Sequence, residues 1–227
     1  MKIAQIAPLY EAVPPSLYGG TERIVAHLTN ALVELGHDVT LFASAEAHTR
    51  ATLVPVRDQA IRLDPFPLKS DLAAHLSMLH ELHLRRHEFD LLHFHVDLIH
   101  FPFFEDLAAR TVTTLHGRLD LKDLPEVYSR WHDYPLVSIS DDQRKPLASA
   151  NWLATVNHGL AEGVYSFNKM PSDPYLPRSH LAREASRSGD LHREAPGHAP
   201  QDCGKGGCCG RGLFSRRDKA AIGRSSD

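Results

Sequence analysis

Two residues that directly follow a short apolar run have the chemistry of a ligand site. His116 and Gly117 come after residues 111–115, a run rich in the β-branched residues that favour strands. A histidine at the end of a strand can hydrogen-bond a sugar hydroxyl or a phosphate, and a glycine behind it lets the chain turn away. The alternative is that His116 is a turn residue with its own local hydrogen bonds.

Ser140, Asn157 and His158 stand in the same position after later apolar runs. Each has a structural alternative as well, because serine caps helices and asparagine forms turns. Together with His116 they indicate a site assembled from several strand ends, which is where doubly wound sheets bind ligands.

A glycine pair near the N-terminus, Gly19 and Gly20, is followed by Thr21 and a helical pattern. Two glycines let the backbone approach a ligand, and the free N–H groups of a helix N-terminus suit an anion or sugar hydroxyls. The spacing matches neither the dinucleotide fingerprint Gly-x-Gly-x-x-Gly nor a P-loop. The simpler alternative is that the glycines only make the turn.

His93 and His95 lie two residues apart, on one face of a predicted strand, and His100 follows shortly after. A metal site would also need an orienting group around each ligand, and the sequence shows none. We therefore expect no metal, and a histidine–metal protein stays a minor alternative.

Strand-like apolar runs alternate with helical periodicity up to residue 156. The strand runs span 3–7, 38–43, 91–95, 111–115, 136–139 and 152–156, and the helical stretches span 21–35, 70–88, 106–109, 124–131 and 140–148. This alternation predicts an α/β fold, a Rossmann-like, doubly wound, mostly parallel sheet with helices on both faces. The carboxyl edge of such a sheet would bring the polar strand ends together.

The 227 residues are 42% hydrophobic and 23% charged, which is enough apolar material for a folded core. No window of ~18 apolar residues is present, so the sequence predicts no membrane span. The N-terminal run is too short for a secretory signal. A net charge of −3 gives no reason to expect a nucleic-acid partner. Residues 1–174 hold no cysteine, which suits a cytoplasmic protein.

Residues 175–227 differ from the rest in composition. They hold 10 Lys and Arg against 6 Asp and Glu, 8 of the 14 glycines, and only seven large apolar residues. Such a segment buries too little apolar surface to offset the entropy of ordering, so we predict a disordered tail. Cys203, Cys208 and Cys209 are expected to be free thiols there, because their spacing fits no common zinc site.

Seven short motifs, in this order and spacing, resemble the N-terminal half of a family 4 glycosyltransferase. They are the opening strand, Tyr-Gly-Gly-Thr-Glu-Arg at 18–23, Gly-His-Asp-Val-Thr-Leu at 36–41, Asp-Leu-Leu-His-Phe-His at 90–95, Thr-Leu-His-Gly at 114–117, Ser-Ile-Ser-Asp at 138–141 and Asn-His-Gly-Leu at 157–160. The resemblance covers about residues 1–175. It implies one half of a GT-B fold, with residues 1–174 as the acceptor-side Rossmann-like domain.

The resemblance also implies an activity. The family is retaining and metal-independent, and it moves a sugar such as a hexose from a nucleotide-sugar donor to an acceptor without a cofactor. By this resemblance His116 would contact the transferred sugar. The other candidates would line the substrate cleft: Gly19, Gly20, Thr21, His95, Gly117, Ser140, Asn157 and His158. The acceptor is not identified, and peripheral contact with a membrane stays open. The alternative is a non-catalytic Rossmann-like module that binds a sugar or a phosphate.

A second domain with a Gly-Arg…Lys segment should begin near residue 175, and the sequence does not contain it. A shift of reading frame explains this. Codons for Pro177–Asp190 can be chosen so that the next frame reads L-G-R-I-S-R-E-K-R-P-D-R-A. We expect the gene, translated in the frame displaced by one base after about residue 176, to continue as a Rossmann-like domain. An early stop codon in that frame would refute the shift. The chain as it stands would then be inactive; a natural tail is the alternative.

Overall fold

The computed structural model describes residues 1–159, in which seven parallel strands form one sheet. The strands are Lys2–Ile6 (β1), Asp38–Ser44 (β2), Thr52–Arg57 (β3), Leu91–Phe94 (β4), Thr111–Thr114 (β5), Leu136–Ser138 (β6) and Trp152–Thr155 (β7). Their order across the sheet is β3-β2-β1-β4-β5-β6-β7, and each neighbouring pair is parallel. The predicted Rossmann-like α/β fold is confirmed.

Helical segments connect the successive strands except β2 and β3, which a loop joins. The α-helices of the described residues are Gly20–Glu34 (α1), Asp71–Arg85 (α2), Leu124–Arg130 (α3) and Asp141–Arg144 (α4), and the 3₁₀ segments are Arg86–Glu88, Phe101–Phe103, Glu105–Arg110 and Lys145–Leu147. Among residues 1–159 no helix has both the length and the apolar character of a bilayer span. The predicted tail over 175–227, with its three cysteines, lies outside the described residues.

The order of the strands reverses between β1 and β4. From β1 the chain builds outward through β2 to β3, and it then returns to pair β4 with the free edge of β1. A crevice opens at such a switch point, beyond the carboxyl ends of the strands, because the flanking connections diverge to opposite faces. The loop before α1 and the segment after β4 both lie at this crevice.

Small residues seat α1 closely on the sheet. Val25, Ala26 and Thr29 are buried, and Val25 and Ala26 pack in one cluster with Leu41 and Ala43 of β2. The helix ends at Leu35, and Gly36 follows with φ +83°, a left-handed conformation that glycine adopts without a steric cost.

The opposite face of the sheet carries a large apolar core. Met78, Leu79 and Leu82 of α2 pack there with Phe42 and Phe94, and all five side chains are buried. This core fixes β1, β2 and β4 against one another, and the positions of their carboxyl ends depend on it.

β3 was not among the predicted strands. Pro55 interrupts its sequence, and a proline cannot donate a hydrogen bond to a neighbouring strand. The strand forms because β3 lies at the edge of the sheet, where one side of the backbone needs no partner strand.

We expect Ser70→Ala to destabilise the protein by about 1 kcal/mol. The Ser70 hydroxyl oxygen accepts a hydrogen bond from the Ala73 N–H, 3.2 Å away, at the start of α2. Urea unfolding would measure the loss. Ser77→Ala is the matched control in the same helix, because the Ser77 hydroxyl only donates to a carbonyl already within the helix. An equal loss in both variants would contradict the assignment of the cap.

Candidate functional site

A cavity of about 770 Å³ opens at the carboxyl edge of the sheet, and we call it the basin. Its walls are the start of α1 at residues 18–22, the segment 95–99 after β4, the segment 116–119 after β5, and His158 beyond β7. Its position at the β1–β4 switch point follows from the strand order.

Most of the predicted site residues meet in the basin. Those that line it are Gly19, Gly20, Thr21, His95, His116, Gly117 and His158. Asn157 lines instead a second cavity, of about 640 Å³, which shares His95 and His158 with the basin. Ser140 lines neither cavity, and its hydroxyl oxygen accepts a hydrogen bond from the Gln143 N–H at the start of α4.

The two glycines of the first loop differ in what they require. A Cβ on Gly19 would lie 2.7 Å from Pro15 Cβ and 2.8 Å from a carboxylate oxygen of Glu22, so no larger residue fits without a shift. A Cβ on Gly20 would meet no atom within 4 Å. Gly19 is therefore required by packing, whereas Gly20 leaves the helix N-terminus open to the basin.

Four histidines, a glutamine and a threonine form a continuous hydrogen-bonded chain across the sheet edge, which we call the histidine chain. Its atom pairs, in order, are His158 Nε2 to His116 Nδ1 (3.1 Å), His116 Nε2 to His95 Nδ1 (3.0 Å), His95 Nε2 to Gln5 Oε1 (2.9 Å), Gln5 Nε2 to His93 Nδ1 (3.2 Å) and His93 Nε2 to Thr114 Oγ1 (2.8 Å). The histidine chain joins β1, β4, β5 and the segment after β7.

The histidine chain is uncharged at neutral pH. Burial lowers the pKa of His93 to about 4 and the pKa of His116 to about 3, and the neighbouring imidazoles add to the effect at His116. Burial also holds the pKa of His95 well below its ordinary value. These imidazoles therefore act as neutral hydrogen-bonding groups toward a ligand in the basin.

His100 is separate from the histidine chain. Its ring stacks on Phe94 at 3.7 Å between centroids, and its Nε2 lies 3.0 Å from Thr113 Oγ1. Phe94 faces the side of the sheet opposite to His93 and His95, because side chains alternate along a strand. The described residues contain no group of three side chains arranged to hold a metal ion.

The basin also has charged and aromatic residues that the sequence did not indicate. Asp97 is the one non-glycine residue among residues 1–159 with a positive φ, +52°, and burial raises the pKa of its carboxyl. It lines the basin and is exposed to solvent there. Strained backbone of this kind is concentrated at functional sites.

A second polar group lies at the rim of the basin. The Tyr10 hydroxyl donates to Asp71 Oδ2 at 3.1 Å, and the Arg62 guanidinium donates to the Tyr18 carbonyl oxygen at 3.1 Å. The Arg62 guanidinium also lies over the Tyr10 ring, 5.8 Å from its centroid. These loop residues come together only in the folded chain, so no local motif marks them.

Comparison with known proteins gives a match to one family model and a similarity to solved structures. The family model described as Glycosyltransferase Family 4 matches residues 18–183. Among solved structures, one similar chain is AviGT4, a glycosyltransferase involved in avilamycin A biosynthesis, with 20% identity and a TM-score of 0.44. The match covers 68% of this chain and 40% of AviGT4. No curated protein matches the chain.

Proposed function

This chain belongs to glycosyltransferase family 4, and we propose from that premise that the basin is the acceptor-side half of a sugar-transfer cleft. In this cleft a hexose passes from a nucleotide-sugar to a hydroxyl of the acceptor. The observation that supports the proposal best is the meeting of the α1 N-terminus with His95, His116 and His158 in one cavity at the sheet edge.

His116 is the residue that we assign to the transferred sugar. It is neutral at pH 7, because its pKa lies at about 3, so it offers a hydrogen bond and no positive charge. A neutral imidazole can hydrogen-bond a sugar hydroxyl without forming an ion pair with the negatively charged leaving diphosphate. His95 Nδ1 lies 3.0 Å from His116 Nε2, and this hydrogen bond holds the His116 ring in place.

The reaction that we propose retains the configuration of the sugar. The bond from the anomeric carbon to the diphosphate oxygen breaks, and the bond to the acceptor oxygen forms on the same face of the ring. The acceptor proton leaves with the diphosphate. The negative charge that develops on this leaving group needs preorganised donors.

Residues of the basin supply part of that stabilisation without a metal ion. The first N–H groups of α1, behind Gly19 and Gly20, have no partner within the helix and carry the positive end of its dipole. Arg62 also lies in the basin wall. We therefore propose a metal-independent transferase, whose rate a chelator such as EDTA would leave unchanged.

The remaining donor-binding groups belong to the domain that we expect in the shifted reading frame. The 227-residue chain should accordingly give no transfer from UDP-, GDP- or ADP-hexoses, and titration calorimetry should detect no nucleotide-sugar binding tighter than about 1 mM, equivalent to about 4 kcal/mol. Micromolar binding of a nucleotide without turnover would instead favour a non-catalytic module. Turnover by the purified 227-residue chain would contradict the proposal.

A further inference from the structure

Gln5 lies at the middle of the histidine chain, and it is the one amide in it. It belongs to β1, is fully buried, and pairs in register with His93 of the adjacent β4. A neutral imidazole can exchange its donor and acceptor nitrogens by changing tautomer, but an amide has a fixed donor end and a fixed acceptor end. The orientation of the Gln5 amide therefore decides the direction of every hydrogen bond in the histidine chain.

The acceptor end of Gln5 sets the direction of the hydrogen bonds on the side of the histidine chain that leads to the basin. Gln5 Oε1 can only accept, so the hydrogen between it and His95 lies on His95 Nε2. A neutral His95 then has a bare Nδ1, which must accept from His116 Nε2–H. By the same reasoning His116 has a bare Nδ1, which accepts from His158 Nε2–H.

The donor end of Gln5 sets the direction of the hydrogen bonds on the other side, through His93 to Thr114. Gln5 Nε2–H donates to His93 Nδ1, so the hydrogen of neutral His93 lies on Nε2 and is donated to Thr114 Oγ1. All five hydrogen bonds are then made by neutral groups, each with one donor and one acceptor. A proton added to His95 or His116 would set two N–H groups against each other, which fits the low pKa values of both rings.

The part of the histidine chain that a ligand can reach is the hydrogen bond between His116 and His158. His158 is the more exposed of the two, and both rings line the basin. A hydroxyl group that enters the basin and takes the place of His158 would find the bare Nδ1 of His116. That nitrogen accepts a hydrogen bond and cannot donate one, so it would select a hydroxyl or an amine over a carbonyl oxygen.

We propose that Gln5 is a positioning residue which fixes the tautomers of the histidine chain, so that His116 presents an unprotonated Nδ1 to a sugar hydroxyl. The identity of the ligand rests on the proposed function, whereas the tautomers do not. The test is therefore carried out without any ligand.

Long-range ¹H–¹⁵N correlation spectra of the 227-residue chain with ¹⁵N-labelled histidine, at pH 7.5, distinguish protonated from bare ring nitrogens. We expect His93, His95, His116 and His158 all to be protonated on Nε2 alone. A His116 protonated on Nδ1 would overturn the proposal, and this measurement needs no variant. If the tautomers are as expected but the protein proves to bind no sugar, only the proposed function fails.

Gln5→Glu gives the sharper test, because a carboxylate of the same shape can accept from both neighbours but donate to neither. His95 and His116 should keep their hydrogens on Nε2, while His93 should change from Nε2–H to Nδ1–H in order to donate to the new carboxylate. Gln59→Glu, at an exposed glutamine, adds the same charge and should change no tautomer. A His93 whose Nδ1 stays without a proton in a folded Gln5→Glu variant would overturn the proposal.

Discussion

Acidification from pH 7.5 to pH 4.5 will lower the free energy of unfolding of the 227-residue chain by about 5 kcal/mol, of the same order as the whole stability of many domains. The cause is the set of buried histidines. His93 and His116 have folded pKa values of about 4 and about 3, against an ordinary value of 6.5. His95 and His100 have pKa values that burial also holds well below 6.5.

The direction follows from proton binding. Above pH 6.5 these histidines are neutral in both states, and their contribution to stability is fully present. Below pH 6.5 the unfolded chain binds protons that the folded chain does not, so stability falls as the pH approaches the folded values. His93 and His116 each account for about 2–3 kcal/mol by pH 4.5. The raised pKa values of Glu22 and Asp97 act in the opposite direction and offset part of the loss.

Urea unfolding followed by the fluorescence of Trp131 and Trp152 at several pH values would measure this loss. The slope of the free energy against pH near pH 5.5 should correspond to the uptake of at least two protons on unfolding. His93→Gln should reduce the slope by about one proton. A stability that stays flat between pH 7 and pH 5 would contradict the burial of these rings.

His116→Ala will lower kcat by about 10²- to 10³-fold in the two-domain protein that we expect from the shifted reading frame, a loss typical of removing one preorganised polar contact. The substitution removes the contact that we propose to the transferred sugar, and it breaks the histidine chain between His95 and His158. Initial rates of nucleoside diphosphate release would measure it. His132→Ala is the matched control, because the side chain of His132 is 72% exposed and lies outside the basin. A His116→Ala variant with a rate close to that of the parent would exclude His116 from the site.

The sheet could be predicted from the sequence because each strand except β3 is a short apolar run, and helical patterns separate most of these runs. The meeting of Gly19, His95 and His116 was also predictable, since the carboxyl ends of parallel strands share one edge. What the strand ends did not reveal is which rings touch, because the 3.0 Å contact between His95 and His116 depends on strand register and twist.

The buried face of α1 shows where periodicity is insufficient. The spacing of Ile24, Leu28, Leu32 and Leu35 predicts an inner face, yet Leu35 is 74% exposed and the residues that are buried include Val25, Ala26 and Thr29. Small side chains allow a helix to approach a sheet closely, and packing distance then outweighs the size of the apolar residues.

Gln5 and Asp97 were missed for different reasons. Gln5 is a single polar residue within an apolar run, and a buried amide requires partners, so its position in the sequence indicates a hydrogen-bonded role. Asp97 carried none, because a positive φ at an aspartate is not encoded in any local pattern. The boundary of the first domain at residue 174 stays a prediction, because it lies outside the described residues.

The measurement that tests the account most directly is sugar transfer by two proteins assayed side by side, the 227-residue chain and the chain translated one base on after about residue 176. Each would be incubated with UDP-, GDP- and ADP-hexoses in the presence of EDTA, and the release of nucleoside diphosphate would be followed. We predict release by the frame-shifted protein from at least one donor and none by the 227-residue chain. Release by the 227-residue chain, or a folded frame-shifted protein that cleaves no donor, would contradict the account of the basin as one half of a transfer cleft.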